Sequence, residues 1–232
     1  MNLKVMRGEI MSDVLYDKKL TCLLCKYKFK TKKVRHSRLR LIKEHSDFYR
    51  EYEGINPNYY LVNVCPKCGY AYTDQFTSPK PSHKEEIEKK VSNNWVSRDF
   101  GIVRDFNMAL DSLKLAVFCG QIQGEKYNIL ATLLLHTAWI YREQNDEQNE
   151  MRFLKLAREQ FLKVYQEDTS KEVNLAKLLF LLGELSKRIG GSDEAVTWFS
   201  KLVSDRNIQD EKMITRARDQ WMLIKKENDR TG

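Results

Sequence analysis

The chain has 232 residues, 42% hydrophobic and 31% charged, with a mean hydropathy of −0.58; this composition suits a globular protein and excludes a disordered one. No apolar run approaches the ~20 residues that span a bilayer. Residues 1–17 scatter Lys4, Arg7, Glu9, Asp13 and Asp17 among single hydrophobes, so neither export nor a membrane partner is expected, and the location expected is cytoplasmic. The net charge of +8 is concentrated in one place. Residues 18–50 hold twelve Lys and Arg against only Glu44 and Asp47, a local balance of +10, and the rest of the chain sums to −2.

The first element of chemical interest is the pair Cys22-Leu-Leu-Cys25, answered by Cys65-Pro-Lys-Cys68-Gly69, with 39 residues between Cys25 and Cys65. Each CxxC places two thiolates on one tight turn, and two facing turns make a four-sulfur tetrahedral cage with metal–sulfur bonds near ~2.3 Å. Gly69 suits the positive φ such a turn needs. Two disulfides, a thioredoxin-like redox site and unrelated core cysteines are the competing readings. Disulfides are rare in the cytosol, and a redox site needs one CxxC at a helix start rather than two knuckles. One zinc bound by Cys22, Cys25, Cys65 and Cys68 is therefore expected, with iron as the alternative. Four thiolates leave no open position, so the metal is structural and an enzyme is not expected. His36 and His45 are expected at the surface, and Cys119 inside a helix as a small core residue.

Between the knuckles, Tyr27, Phe29 and Thr31 alternate with lysines, and Leu39 and Leu41 alternate with arginines, as in strands. Tyr59–Val64 and Tyr70–Tyr72 have a similar strand-like pattern. The basic side chains Lys28, Lys30, Lys32, Arg35, Arg38 and Arg40 form a candidate nucleic-acid patch, with Tyr27 or Phe29 offering stacking faces. Residues 77–82, Thr-Ser-Pro-Lys-Pro-Ser, form a polar linker separating a basic ribbon over 1–78 from a helical domain over 82–232. Ser82 and Glu85 are spaced as a capping box opening a short helix through about Val91.

The four prolines all lie before residue 82, so the remaining chain is free to be helix after helix. Helices are expected at about 102–123, 126–145, 149–167, 171–189, 193–204 and 209–227. Gly124 and Gly190-Gly191 serve as stops, and Ser192 as an N-cap. Ala109–Leu113–Ala116, Ala157–Phe161–Val164 and Ala195–Phe199–Leu202 repeat one small–large spacing. The last unit adds Leu179-x2-Leu182-Gly183, a pattern similar to the tetratricopeptide repeat. The expected fold is mainly α: a small β-rich zinc ribbon, then an all-α tetratricopeptide-like array of helical hairpins. The concave face of such an array would include Leu135, Trp139, Arg142, Lys177, Phe180, Glu184 and Lys187, a candidate groove for an unidentified protein partner. An adaptor is the first functional expectation, and nucleic-acid binding through the ribbon the alternative.

The knuckle Cys22–Cys25, the run Arg35-x2-Arg38-x-Arg40 and the segment Glu53-Gly54-Ile55-Asn56-Pro57-x-Tyr59-Tyr60 share a further likeness. With Cys65-Pro-x-Cys68-Gly69-Tyr70 and Trp95-x2-Arg98-Asp99-Phe100, they resemble the bacterial family catalogued as domain of unknown function 2225, from about Tyr16 to Lys225. The resemblance implies a cytoplasmic protein with metal-binding cysteines and a tetratricopeptide-like second half, and it supplies no catalytic residue.

Overall fold

A computed structural model describes residues 13–167 and 173–231, with side chains to 227. Three two-stranded antiparallel hairpins come first: β1 (Leu15–Thr21) with β2 (Lys28–Val34), β3 (Leu41–Glu44) with β4 (Arg50–Tyr52), and β5 (Asn63–Val64) with β6 (Ala71–Tyr72). Pairing Leu20 with Phe29, Lys18 with Thr31 and Tyr16 with Lys33 puts those side chains on one face of the first hairpin. Phe29 and Thr31 are buried there, as their alternation requires. Two segments expected to be extended are not. Arg38 belongs to a 3₁₀ turn over His36–Arg38. Tyr59 and Tyr60 lie in another over Pro57–Tyr60, where Pro57 pre-sets the turn and the Asn56 side chain accepts from the Asn58 amide at 2.9 Å.

Seven helices follow among the described residues: α1 (Pro81–Lys90), α2 (Phe106–Gln123), α3 (Tyr127–Glu143), α4 (Glu147–Glu167), α5 (Leu175–Arg188), α6 (Ser192–Ser204) and α7 (Glu211–Thr231). Their starts are set by short polar side chains that satisfy free amides. Asp105 accepts from Met108 N, Asn174 from Lys177 N and Asp210 from Met213 N, each at 2.8–3.1 Å. The helix expected from 102 therefore begins at Phe106, and the one expected from 171 begins at Leu175, positions 171 and 172 lying outside the described residues. α1 starts without the expected capping box. Pro81, whose fixed φ suits the first helical position, opens it behind an uncapped Lys80, leaving Ser82 inside the first turn. Ser192 is likewise the first helical residue, with Gly191 at the cap. Gly124 (φ 68°) and Gly190 (φ 90°) end α2 and α5 in the left-handed conformation.

Each helix packs on the next in chain order, and α5 also meets α7. All nine residues of the small–large units are buried, Ala109, Ala157 and Ala195 completely. A Cβ on Gly183 would stand 2.5 Å from the Phe199 ring, so glycine is what lets α6 close on α5. One apolar core runs without a break from Cys22, Tyr70, Tyr72 and Phe76 through Ile87, Leu113 and Cys119 to α5; a second joins α5, α6 and α7. No helix among the described residues is long and apolar enough to cross a membrane.

Candidate metal centre

The two knuckles are the turns of the first and third hairpins, and they are built alike. In one, Cys22 N donates to Tyr27 O at 2.9 Å and Lys26 N to Cys22 O at 3.1 Å. In the other, Cys65 N donates to Tyr70 O at 3.0 Å and Gly69 N to Cys65 O at 2.9 Å. The fourth residue after each leading cysteine is left-handed: Lys26 at φ 61° and Gly69 at φ 72°. Glycine adopts this freely, whereas lysine does so at a cost of about 1–2 kcal/mol.

The four sulfurs lie within 4.8 Å of one another. Cys22 to Cys68 and Cys25 to Cys65 are both 3.7 Å. Four sulfurs at ~2.3 Å from a common centre in a regular tetrahedron are separated by about 3.8 Å, so the cluster has the dimensions of a metal–thiolate cage. It does not have those of disulfides, which need ~2.05 Å between sulfurs, and all five cysteines are unpaired. Thiol hydrogen bonds from Cys22 and Cys68, with the amides of Cys68 and Lys67, draw Cys65 far below an ordinary thiol. Bonding to Cys65 pushes Cys22 up to about 12, and bonding to Cys22 drives Cys68 still higher. A metal ion at the centre of the four sulfurs would take the place of the thiol protons, because only thiolates ligate it.

A second layer holds the cage. Trp95 lies across Gly69 and donates from Nε1 to Pro66 O at 2.9 Å, and Ser97 Oγ donates to the same carbonyl at 3.1 Å. A Cβ on Gly69 would meet the indole at 2.5 Å. Arg104, only 4% exposed, ties the ribbon to the start of α2. It donates to Phe100 O at 2.8 Å, Val62 O at 2.9 Å, Tyr59 O at 3.0 Å and Thr31 Oγ1 at 3.3 Å. The Glu53–Tyr60 segment docks on α3, with Asn56 Nδ2 and Tyr59 OH both donating to Glu143. Cys119 is buried outside the cluster, its thiol pushed up to about 11 by burial. His36 is exposed, and His45 is half-buried with its Nε2 against Glu51.

The basic strip divides. Lys28, Lys30 and Lys32 share the outward face of the first hairpin with Lys19, and Lys32 pairs with Asp17 at 2.8 Å. Arg35 donates to the carbonyls of Asp13 and Leu15, Arg38 approaches Asp13 at 3.7 Å, and Arg40 approaches Glu53 at 3.8 Å. These three lie beyond the strand and form no continuous surface with the lysines through strand pairing.

The groove residues meet something the sequence did not announce: the tip of the β3–β4 hairpin. Asp47, fully buried, accepts from Trp139 Nε1 at 3.0 Å and from Arg142 at 2.8 and 3.2 Å. Arg142 and its neighbours hold that carboxylate below the usual range against the opposing effect of burial. Phe48 (φ 68°) packs on Phe180 with ring centroids 5.5 Å apart, under Lys177 at 5.2 Å and Arg216 at 4.6 Å. Ser46 bonds to the buried Glu184 carboxyl, whose pKa burial raises. Leu135 is buried in the main core, and Lys187 turns to Gln220 of α7 at 3.3 Å.

Two thiol knuckles on short hairpins, seated against an array of helices, define a mainly α protein with a four-cysteine cluster spaced for a metal ion. The chain belongs to the family of uncharacterized proteins conserved in bacteria designated DUF2225, whose model matches residues 15–224. No curated protein and no solved structure matches it.

Proposed function

We propose that this is a cytoplasmic, non-enzymatic adaptor in which one structural zinc, held by Cys22, Cys25, Cys65 and Cys68, fixes a ribbon against a tetratricopeptide-like array that binds a protein partner. The observation that supports it best is the pair of 3.7 Å sulfur separations, which match a tetrahedral cage with every position taken by thiolate. A saturated ion has no place for water or substrate, so its contribution is to folding. The adaptor part rests on the array's inner face, which accommodates a polypeptide tip through Trp139, Arg142 and Phe180. Zinc is favoured over iron because it suits a closed structural thiolate site without redox chemistry.

Elemental analysis of reduced, purified protein tests the site, with one zinc per chain expected and loss of metal in Cys65→Ser. Absence of any transition metal overturns it, and one iron reassigns it. Affinity capture with the full chain, compared with an Arg142→Ala variant, tests the adaptor reading. Nucleic-acid binding has one observation in its favour. Lys19, Lys28 and Lys30 share an exposed face, and none has an ion-pair partner among the described residues. A steep fall of RNA affinity with salt, flattened by changing those lysines to Gln, would support it.

A further inference from the structure

The β3–β4 hairpin touches the helices chiefly through its tip. All four residues of β3 are exposed, Leu41 at 53% and Ile42 at 66%, and the pair forms no sheet with either neighbouring hairpin. An isolated two-stranded hairpin is marginal in water, so docking of the tip is what orders it. The tip is held as a ligand is held. Its carboxylate takes donors from α3, with Arg188 of α5 at 3.5 Å, and its aromatic ring sits between side chains of α5 and α7.

The fit is also incomplete. Glu184, 1% exposed, has Oε1 without a hydrogen-bond partner, and Nε of Arg188 faces Asp47 Oδ2 at 3.5 Å as an ion pair without a hydrogen bond. Phe48 holds a left-handed backbone that disfavours any residue with a Cβ. Beside the tip a cleft of about 740 Å³ is lined by Phe48, Trp139 and Lys177, so two of the side chains that hold the tip can be approached while it is docked.

We propose that the α3–α5–α7 groove recognises a polypeptide segment carrying a carboxylate followed by an aromatic residue, that Asp47-Phe48 is its resident occupant, and that a partner presenting the same pair displaces the hairpin. The proposal rests on the adaptor reading and names the partner's chemistry. The positive anchors Arg142, Arg188, Lys177 and Arg216 select the acid and the face of the ring, and an apolar segment lacking the acid would leave Arg142 with Glu150 alone and its two terminal nitrogens without their acceptor.

The test uses a fluorescein-labelled peptide of residues 43–52 and the full-length chain carrying Asp47→Ala with Phe48→Ala, which vacates the groove. Anisotropy should show saturable binding to that variant at least ten-fold tighter than to the native chain. A peptide with both residues replaced by Ala should not bind. No saturable binding by a variant that keeps its helical circular dichroism overturns the proposal. Should the variant not fold, hydrogen exchange of the native chain decides. The His45 and Phe48 amides, bonded to Tyr49 O and His45 O, should exchange at least a hundred-fold faster than the α3 amides, and equal rates overturn the proposal. Dimers of the native chain that dissociate in Phe48→Ala would assign the groove to a second copy and also overturn it. Partner capture that persists without peptide binding refutes the groove alone; peptide binding without any captured partner refutes the adaptor reading alone.

Discussion

Replacing Gly69 by alanine isolates the contribution of the indole that lies over the second knuckle. The new Cβ would stand 2.5 Å from Trp95 Cδ2 and Cε3. Carbon atoms rest at ~3.5–4.0 Å, so the ring or the knuckle must move by about 1 Å. The ring is not free to do so, because Nε1 is bonded to Pro66 O at 2.9 Å inside the same knuckle. Overpacking of this kind costs about 1–3 kcal/mol, and a left-handed alanine at φ 72° adds about 1–2 kcal/mol. Stiffening of the unfolded chain returns about 0.4–1 kcal/mol. The net loss expected for Gly69→Ala is ~2–4 kcal/mol. In a background of Trp95→Ala the steric part vanishes and only the backbone part remains, so the two changes should couple by about 1–3 kcal/mol. Urea unfolding of the four proteins of the cycle measures that coupling, and metal release to a chelator should speed up in the same order. Additivity within ~0.5 kcal/mol would show that the indole does not brace the knuckle.

At the other knuckle, Lys26→Gly should raise stability by ~0.5–1 kcal/mol in urea melts, because it relieves the left-handed lysine at φ 61°. Arg104→Met should cost at least ~3 kcal/mol in the same assay, since it strips charge-assisted donors from the buried carbonyls of Tyr59, Val62 and Phe100. His136 donates Nδ1–H to Asn58 Oδ1 across 2.8 Å, and burial lowers its pKa from 6.5 to about 4. The unfolded chain therefore takes up a proton that the folded one refuses. Stability is full above pH 6.5 and declines as pH falls towards 4, by up to ~3 kcal/mol, and His136→Gln should flatten that slope.

What the sequence exposed and what it hid differ by the range of the interactions involved. The knuckles are legible because CxxC is a local pattern, reinforced at the second by Gly69, and the helices because proline is absent after residue 81 and Gly124 and Gly190 stand at two of their ends. β1 was not identified. Its Tyr16, Lys18 and Leu20 are only half-buried and its other face carries Asp17 and Lys19, so no apolar alternation marks it. Trp95, Arg104 and the hairpin tip were invisible as site residues, because each acts on positions far along the chain. One clue lay in the charge pattern. Glu44 and Asp47, the two acids interrupting the basic strip, are the two that anchor the hairpin to Arg216 and Arg142. In a segment of +10 they counted as a small subtraction, whereas their position was the signal.

The same spacer that separates the knuckles carries the tip to the groove, and this gives a metal at the thiols a role beyond the ribbon. The 39 residues between Cys25 and Cys65 start and end at the cluster. Closing a loop of that length removes conformational entropy from the open chain worth about 4 kcal/mol in the cross-link approximation. Without closure, Asp47 would have to find Trp139 and Arg142 from a longer loop held by hairpin pairing and by the contacts of Thr31, Asn56, Tyr59 and Val62 with Arg104 and Glu143. A bound ion would therefore strengthen docking of the tip without touching it. Trp95 and Arg104, arriving from the segment before α2, hold the closed loop against the helices. The thiol cluster joins the two knuckles at the base of the spacer, and the ribbon meets the array through Arg104, through Asn56 and Tyr59 on Glu143, and at the tip through Asp47. The tip also sends Tyr49 into the apolar core that both halves share, against Trp139 with ring centroids 5.6 Å apart, so opening it would uncover that ring as well as Phe48.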